Sequence, residues 1–119
     1  AGAAINTIRY FSSTTKLYRA VSVAEFNSIK QTGKFNTIFG GFEGKQFGFK
    51  LREVRGYAKL PFNNGLYSKI ISIIVPKAQL SAIMQKTFTD NFIFKSGIAT
   101  IFDLNTLNKI IKSIKYLNI

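Results

Sequence analysis

Lys16-Leu17-Tyr18-Arg19-Ala20-Val21-Ser22-Val23-Ala24-Glu25-Phe26, residues 16–26, is the stretch from which the architecture can be read. Its first six residues alternate between apolar and polar side chains, the period of a strand with one face turned to a core. Ser22 and Glu25 then stand three apart, a capping-box pattern. The Ser22 hydroxyl accepts from the backbone N–H of Glu25, and the Glu25 carboxylate reaches back to the N–H of Ser22. Phe26 and Ile29 fall on one face of the helix so started, and Gly33 stands where a helix ends in the left-handed conformation. A strand that feeds directly into a capped helix marks a mixed α and β chain.

The rest of the chain extends this pattern. Residues 1–15 read as a lead-in with a short helix around Ile5–Phe11. Residues 34–44 carry Gly40, Gly41 and Gly44 and read as loop. A short strand is expected at Gln46–Phe49, then a polar helical turn at Leu51–Leu60 stopped by Pro61. Asn63-Asn64-Gly65 is a turn signal. Tyr67–Val75, with Ile70, Ile71, Ile73 and Ile74, reads as a central strand covered on both faces. Pro76 suits the first turn of a helix whose apolar stripe is Leu80, Ile83 and Met84. Residues 88–102 read as one or two strands. Asp103 caps a last helix lined by Leu104, Leu107, Ile110, Ile111, Ile114 and Leu117, with Lys109, Lys112 and Lys115 on another face. The expectation is one compact α+β domain over residues 16–119, with a central, mostly antiparallel, twisted sheet flanked by helices.

Composition narrows the function. Of 119 residues, 17 are Lys or Arg and 5 are Asp or Glu, a net charge of 17 − 5 = +12. Such an excess repels itself in a compact chain, so a polyanionic partner, RNA above all, is expected to use it. The bland alternative is a merely solvated surface. Cys and His are both absent. That removes disulfides, the usual zinc sites and imidazole-based acid–base catalysis. The carboxylates Glu25, Glu43, Glu53, Asp90 and Asp103 are scattered, without the close pair that a two-metal nuclease needs. The expected chemistry uses neither a metal nor a cofactor. No run approaches the roughly 20 apolar residues of a membrane span, so no stable membrane association is expected. The chain starts at Ala1 and reads as a processed product or a domain of something longer.

The densest cationic stretch, Gly44–Leu60, carries Lys45, Lys50, Arg52, Arg55 and Lys59, interleaved with Phe47, Phe49 and Tyr57. Bases bind phosphates and aromatic faces stack nucleobases. Arg52 and Arg55, three apart on a helix, share one face and suit neighbouring phosphates; Phe47 and Phe49 alternate and suit the core. Metal-free RNA cleavage requires a base at the ribose 2′-OH, an acid at the 5′-oxygen and a cation at the phosphorane. The candidates are Arg19, Glu43, Lys45 and Tyr57, with Tyr18, Lys50, Arg52, Arg55 and Lys59 as RNA contacts. For Arg19 the competing reading is a partner carboxylate or solvent. Gly40–Lys45 is one residue short of a phosphate loop, and Gln46 stands where Ser or Thr would bind magnesium, so that motif is rejected.

The runs Leu17–Ser22, Ala24-Glu25-Phe26, Thr32–Phe35, Glu43–Phe47 and Ile73–Lys77 resemble C-terminal toxin domains of bacterial polymorphic toxins, of the contact-dependent inhibition and Rhs types. The similarity spans residues 16–115 in short motifs. It implies a monomeric toxin domain delivered as the C-terminal part of a larger effector. Such a domain acts in the cytoplasm of the target cell and is neutralised by an acidic cognate immunity protein. Two activities follow from it. One is metal-independent ribonuclease activity, often on tRNA, on a barnase/EndoU/colicin/RelE-like fold. The other is ADP-ribosyl transfer from NAD, since Tyr18-Arg19 on a first strand looks like the arginine motif of that group. Those transferases typically use a late glutamate, for which Asp90 or Asp103 would substitute here. Ribonuclease is the leading expectation. A non-enzymatic RNA-binding module is the third.

Overall fold

The computed structural model describes residues 13–36, 44–88 and 92–119. In chain order the elements are β1 (Thr14–Val21), α1 (Val23–Thr32), β2 (Lys45–Gly48), α2 (Leu51–Ala58), a 3-10 turn (Pro61–Asn63), β3 (Lys69–Pro76), α3 (Lys77–Ile83), β4 (Met84–Thr87), β5 (Ile98–Ile101), α4 (Leu104–Ile110) and β6 (Ser113–Asn118). The strands form one open sheet in the order β4-β5-β2-β1-β3-β6, and every neighbouring pair is antiparallel. The fold is α+β in a single domain, as expected. The helix around Ile5–Phe11 lies outside the described residues. No helix among the described residues is long and apolar enough to cross a membrane.

One face of the sheet carries the main core. Leu17, Val21, Phe47, Ile71, Ile73, Val75, Ala99 and Ile101 meet Ile29 of α1, Leu80 of α3, and Leu104 and Leu107 of α4. Burying each such aliphatic side chain contributes about 1.5–3 kcal/mol before chain entropy is counted. The opposite face is covered in part by α2, whose Val54 and Ala58 are buried. Between the two layers Ile70, Ile71 and Ile73 are fully buried, which explains the continuous β-branched run of β3.

The caps act as the sequence indicates. Ser22 accepts from the Glu25 N–H at 3.2 Å, and Gly33 ends α1 at φ 71°. Asp103 caps α4, taking the Thr106 N–H at 3.0 Å and its hydroxyl at 2.6 Å. The second half of the capping box is not made, because the Glu25 side chain turns to Arg19 and Lys45 instead. A charged donor fork satisfies a carboxylate better than one backbone N–H does.

Two expectations about helices are corrected. The last helix does not run to Leu117; it stops at Ile110, and residues 113–118 form β6 against β3. Ser113-Ile114-Lys115-Tyr116-Leu117-Asn118 also alternates, and β3 needs a partner for its second edge. That pairing outweighs the helical spacing of the leucines. Lys109 and Lys115 therefore sit on different elements. Likewise Met84 leaves the expected helical stripe and opens β4, and Pro76 closes β3 as the residue before α3. Within residues 88–102, Ile98–Ile101 is the strand among the described residues.

Candidate functional site

The sheet is two three-stranded halves that barely touch. β1 pairs with β3 through eight residue pairs and β2 with β5 through four, yet β1 and β2 share only Tyr18↔Gly48. From that pair the two strands diverge towards Val21 and Lys45, and a cleft opens between them. A cavity of about 280 Å³ lies there, lined by Tyr18, Arg19 and Ala20 of β1 and Gln46, Phe47 and Gly48 of β2. Tyr57 and Val54 of α2 and the rings of Tyr67 and Phe94 close its other side.

Glycine at 48 is what lets α2 lie so close. A Cβ added there would stand 2.5 Å from Cγ2 of Val54. The aromatic wall is held by contacts of its own. The Tyr57 ring lies 5.8 Å from that of Tyr67 and 5.3 Å from that of Phe94, and the Tyr67 hydroxyl donates to the Tyr57 hydroxyl at 3.4 Å. Asn63, buried, donates to the carbonyl of Tyr57 at 2.8 Å. Glu53, also buried, accepts from the Ser96 N–H at 3.1 Å and its hydroxyl at 2.8 Å, tying the Phe94–Gly97 turn to α2. Burial pushes the Tyr67 phenol up to about 12, with its Tyr57 partner adding to the rise.

Beside the cleft the two halves are joined by charge. Arg19 donates Nε and Nη2 to the two oxygens of Glu25, at 2.7 and 2.9 Å, and Nη1 to the main-chain carbonyl of Gln46 at 3.1 Å. Lys45 Nζ lies 3.5 Å from Glu25 Oε1. One carboxylate from α1 thus holds a base from each half, and a side chain supplies the cross-strand bond that the diverging backbones cannot make. Burial pushes the Glu25 carboxyl up, but the hydrogen bonds and charge of Arg19, with the charge of Lys45, outweigh it and hold the group below its usual range.

The candidate residues distribute unevenly. Tyr18, Arg19 and Tyr57 line the cleft, and Lys45 is linked to it through Glu25. Glu43 lies outside the described residues, as does Asp90. Lys50, Arg52 and Lys59 are exposed on and around α2, while Arg55 reaches across to the Asn118 carbonyl at 3.0 Å. Phe47 is core, edge-on to Phe35 at 5.5 Å, and Phe49 packs against the core from its margin. Three cleft-forming residues escape the sequence reading. Glu25 is absorbed by its capping pattern, although Arg19 in an apolar strand signals a nearby acid. Tyr67 and Phe94 fall in runs that read as strand, whereas Tyr67 lies just before β3 and Phe94 opens the turn to Gly97. Among the described residues, no three Asp or Glu side chains gather where a metal ion could be shared.

No family model, no curated protein and no solved structure matches the chain.

Proposed function

We propose that the cleft is a nucleotide site and that the domain is an NAD-dependent ADP-ribosyltransferase of the toxin class. The observation that carries this reading is the parting of the sheet at Arg19, with Tyr18, Tyr57, Tyr67 and Phe94 around the opening. A cavity of about 280 Å³ suits one aromatic ring system rather than a folded polymer. Tyrosine and phenylalanine faces offer it stacking area, and the tyrosine hydroxyls add polar atoms to the lining. An arginine guanidinium has five N–H donors, and the bonds described use three, so two remain for a phosphate oxygen.

In the transfer, the bond between nicotinamide and ribose C1′ breaks with its electron pair leaving on nicotinamide. The acceptor nucleophile then bonds to C1′ and loses its proton. The chain's part is to hold the ring among Tyr57, Tyr67 and Phe94, to orient the phosphates at Arg19, and to exclude water. Tyr67, pushed up to about 12, stays neutral throughout the physiological range and acts as a hydrogen-bond partner, not as a base. Asp103 is occupied as the cap of α4, so Asp90 is the remaining late carboxylate for the role that the resemblance assigns to a glutamate.

A metal-independent ribonuclease acting on tRNA is the second reading. The net charge of +12 and the exposed Lys50, Arg52 and Lys59 favour it. It ranks second because the cleft is small and lined by rings, and the exposed bases Lys50, Arg52 and Lys59 are not part of its lining. One preparation separates the readings: the domain with total tRNA and EDTA, with and without NAD. Nicotinamide release and an adduct of ADP-ribose mass support the transferase. RNA cleavage without NAD replaces it by the ribonuclease, and a salt-sensitive gel shift alone replaces it by a binding module.

A further inference from the structure

Four lysines from separate parts of the chain lie between the middle row of the sheet and its Thr14 end. Lys16 is the third residue of β1. Tyr18 pairs with Gly48, so Phe49 and the extended Lys50 carry the chain on towards the level of Lys16 before α2 begins. Thr14 pairs with Pro76, and the N–H of Lys77 donates to the Ser13 carbonyl at 2.7 Å, which brings Lys77 to the same end. Lys115 pairs with Ser72, itself paired with Tyr18. Tyr18, Ser72 and Lys115 therefore form one row on the sheet face away from the main core, with Lys16 in the next row but one strand-end outward. All four lysines are exposed.

No described carboxylate opposes them. Glu53 has both oxygens on Ser96. Glu25 is held by Arg19 and Lys45, and Asp103 lies beyond Ile101, the partner of Lys45, at the other end of the sheet. Tyr18 belongs both to this basic row and to the cleft lining. Positive charge and an aromatic ring thus lie together at the edge of the cleft.

We infer that this basic surface binds the sugar–phosphate backbone of a single-stranded stretch of RNA, whose terminal or unpaired nucleotide is presented beside Tyr18 at the edge of the cleft as the acceptor. The inference rests on the cleft being a nucleotide site. Lysines spaced across strands suit successive phosphates, and Tyr18 suits a base between them. An acidic membrane surface would use the lysines and leave the ring without a role.

The test uses the whole chain and a fluorescein-labelled 12-nucleotide RNA, followed by anisotropy over a range of salt concentrations. A single strand loses about 0.7 in the slope of log K against log salt for each phosphate contact removed, so Lys16→Gln with Lys115→Gln should lower the slope by about 1.4. The control is Lys30→Gln with Lys34→Gln, which has the same net charge but alters α1 and the segment after it, and its slope should stay at the parent value. A hairpin RNA without unpaired nucleotides should bind more weakly than the single strand. Equal losses in both double variants overturn the inference, because they mean a general field and no site. Equal binding of hairpin and single strand overturns it too, as does lysine-dependent binding to phosphatidylserine vesicles with no RNA effect. NAD binding is titrated on the same proteins. If it persists in the Lys16/Lys115 variant, an RNA failure refers to this surface alone; if the parent binds no NAD, the nucleotide reading itself fails.

Discussion

Glu25 and Arg19 meet through two hydrogen bonds of 2.7 and 2.9 Å at the point where β1 parts from β2. The pair is mostly buried, and Lys45 joins it from the other half of the sheet. Three charged side chains thus do the work of the missing backbone ladder.

Glu25→Gln should be costly for that reason. It leaves two bases beside a partner that cannot balance them, and removing one member of a buried pair costs about 3 kcal/mol. Chemical denaturation is the measurement, and a midpoint equal to the parent's would refute the clasp. Glu25→Gln with Lys45→Gln should recover part of the loss, because one orphan charge is gone.

The same carboxyl sets a pH dependence. Its pKa in the fold lies below the ordinary 4.5, so the fold binds fewer protons there than the unfolded chain does. Its contribution is complete above about pH 4.5 and is lost as pH falls through the folded value. Urea midpoints of the parent and Glu25→Gln should therefore converge as acid is added. Curves that stay parallel would show that Glu25 carries no such linkage.

Tyr67 gives the opposite sign at alkaline pH. Its folded pKa of about 12 exceeds the ordinary 10.0, so the fold favours the neutral phenol. The stability this supplies is whole below about pH 10 and drains away as pH rises towards 12. Phenolate absorbance in the parent minus that in Tyr67→Phe should rise late, near the upper value. A difference spectrum complete by pH 10 would contradict the packing of Tyr67 on Tyr57.

Glu53→Ala should loosen the cleft wall from a distance. The Ser96 N–H and hydroxyl lose their acceptors, at a cost of about 1–3 kcal/mol, and the Phe94 turn comes away from α2. The affinity for NAD should fall several-fold while the clasp remains. Ser96→Ala, which keeps the backbone bond, should fall by less. Equal ligand affinity in parent and both variants would mean that Phe94 forms no part of the site.

Gly48→Ala tests the junction of the two halves. The added methyl meets Val54 Cγ2 at 2.5 Å, and overpacking of this kind costs about 1–3 kcal/mol. Combining it with Val54→Ala should restore much of the stability. A neutral single substitution would show that α2 moves aside freely.

How far the sequence was legible can be judged from these residues. Ser22, Gly33 and Asp103 announce their caps, because capping depends on residues within one turn. The β1–α1 unit and the isoleucine strand were legible for the same local reason. The last segment misled, since its leucines and isoleucines satisfy a helical period and a strand period at once, and the choice was made by β3, far away in sequence. Arg19 stands out as a base in an apolar strand and takes a carboxylate partner, the competing reading of it, but the sequence does not say which carboxylate. Whether a base in a strand meets a phosphate or a glutamate depends on how α1 folds back, which no spacing states. The cleft itself arises from a ladder that stops after one pair, and periodicity carries no trace of such an interruption.

The burial of β3 between β1 and β6 has a consequence for the chain's handling. Ile70-Ile71-Ser72-Ile73-Ile74-Val75 is an uncharged, β-branched window of the kind that stacks into amyloid when its edges are open. In the folded sheet both its edges are hydrogen-bonded, one to β1 along its whole length and the other to β6. Lys69 and Pro76-Lys77 flank it as gatekeepers, opposing self-association while the chain is unfolded. Detaching β6 alone would expose one row of its N–H and C=O groups, so this strand is also the protein's guard against aggregation.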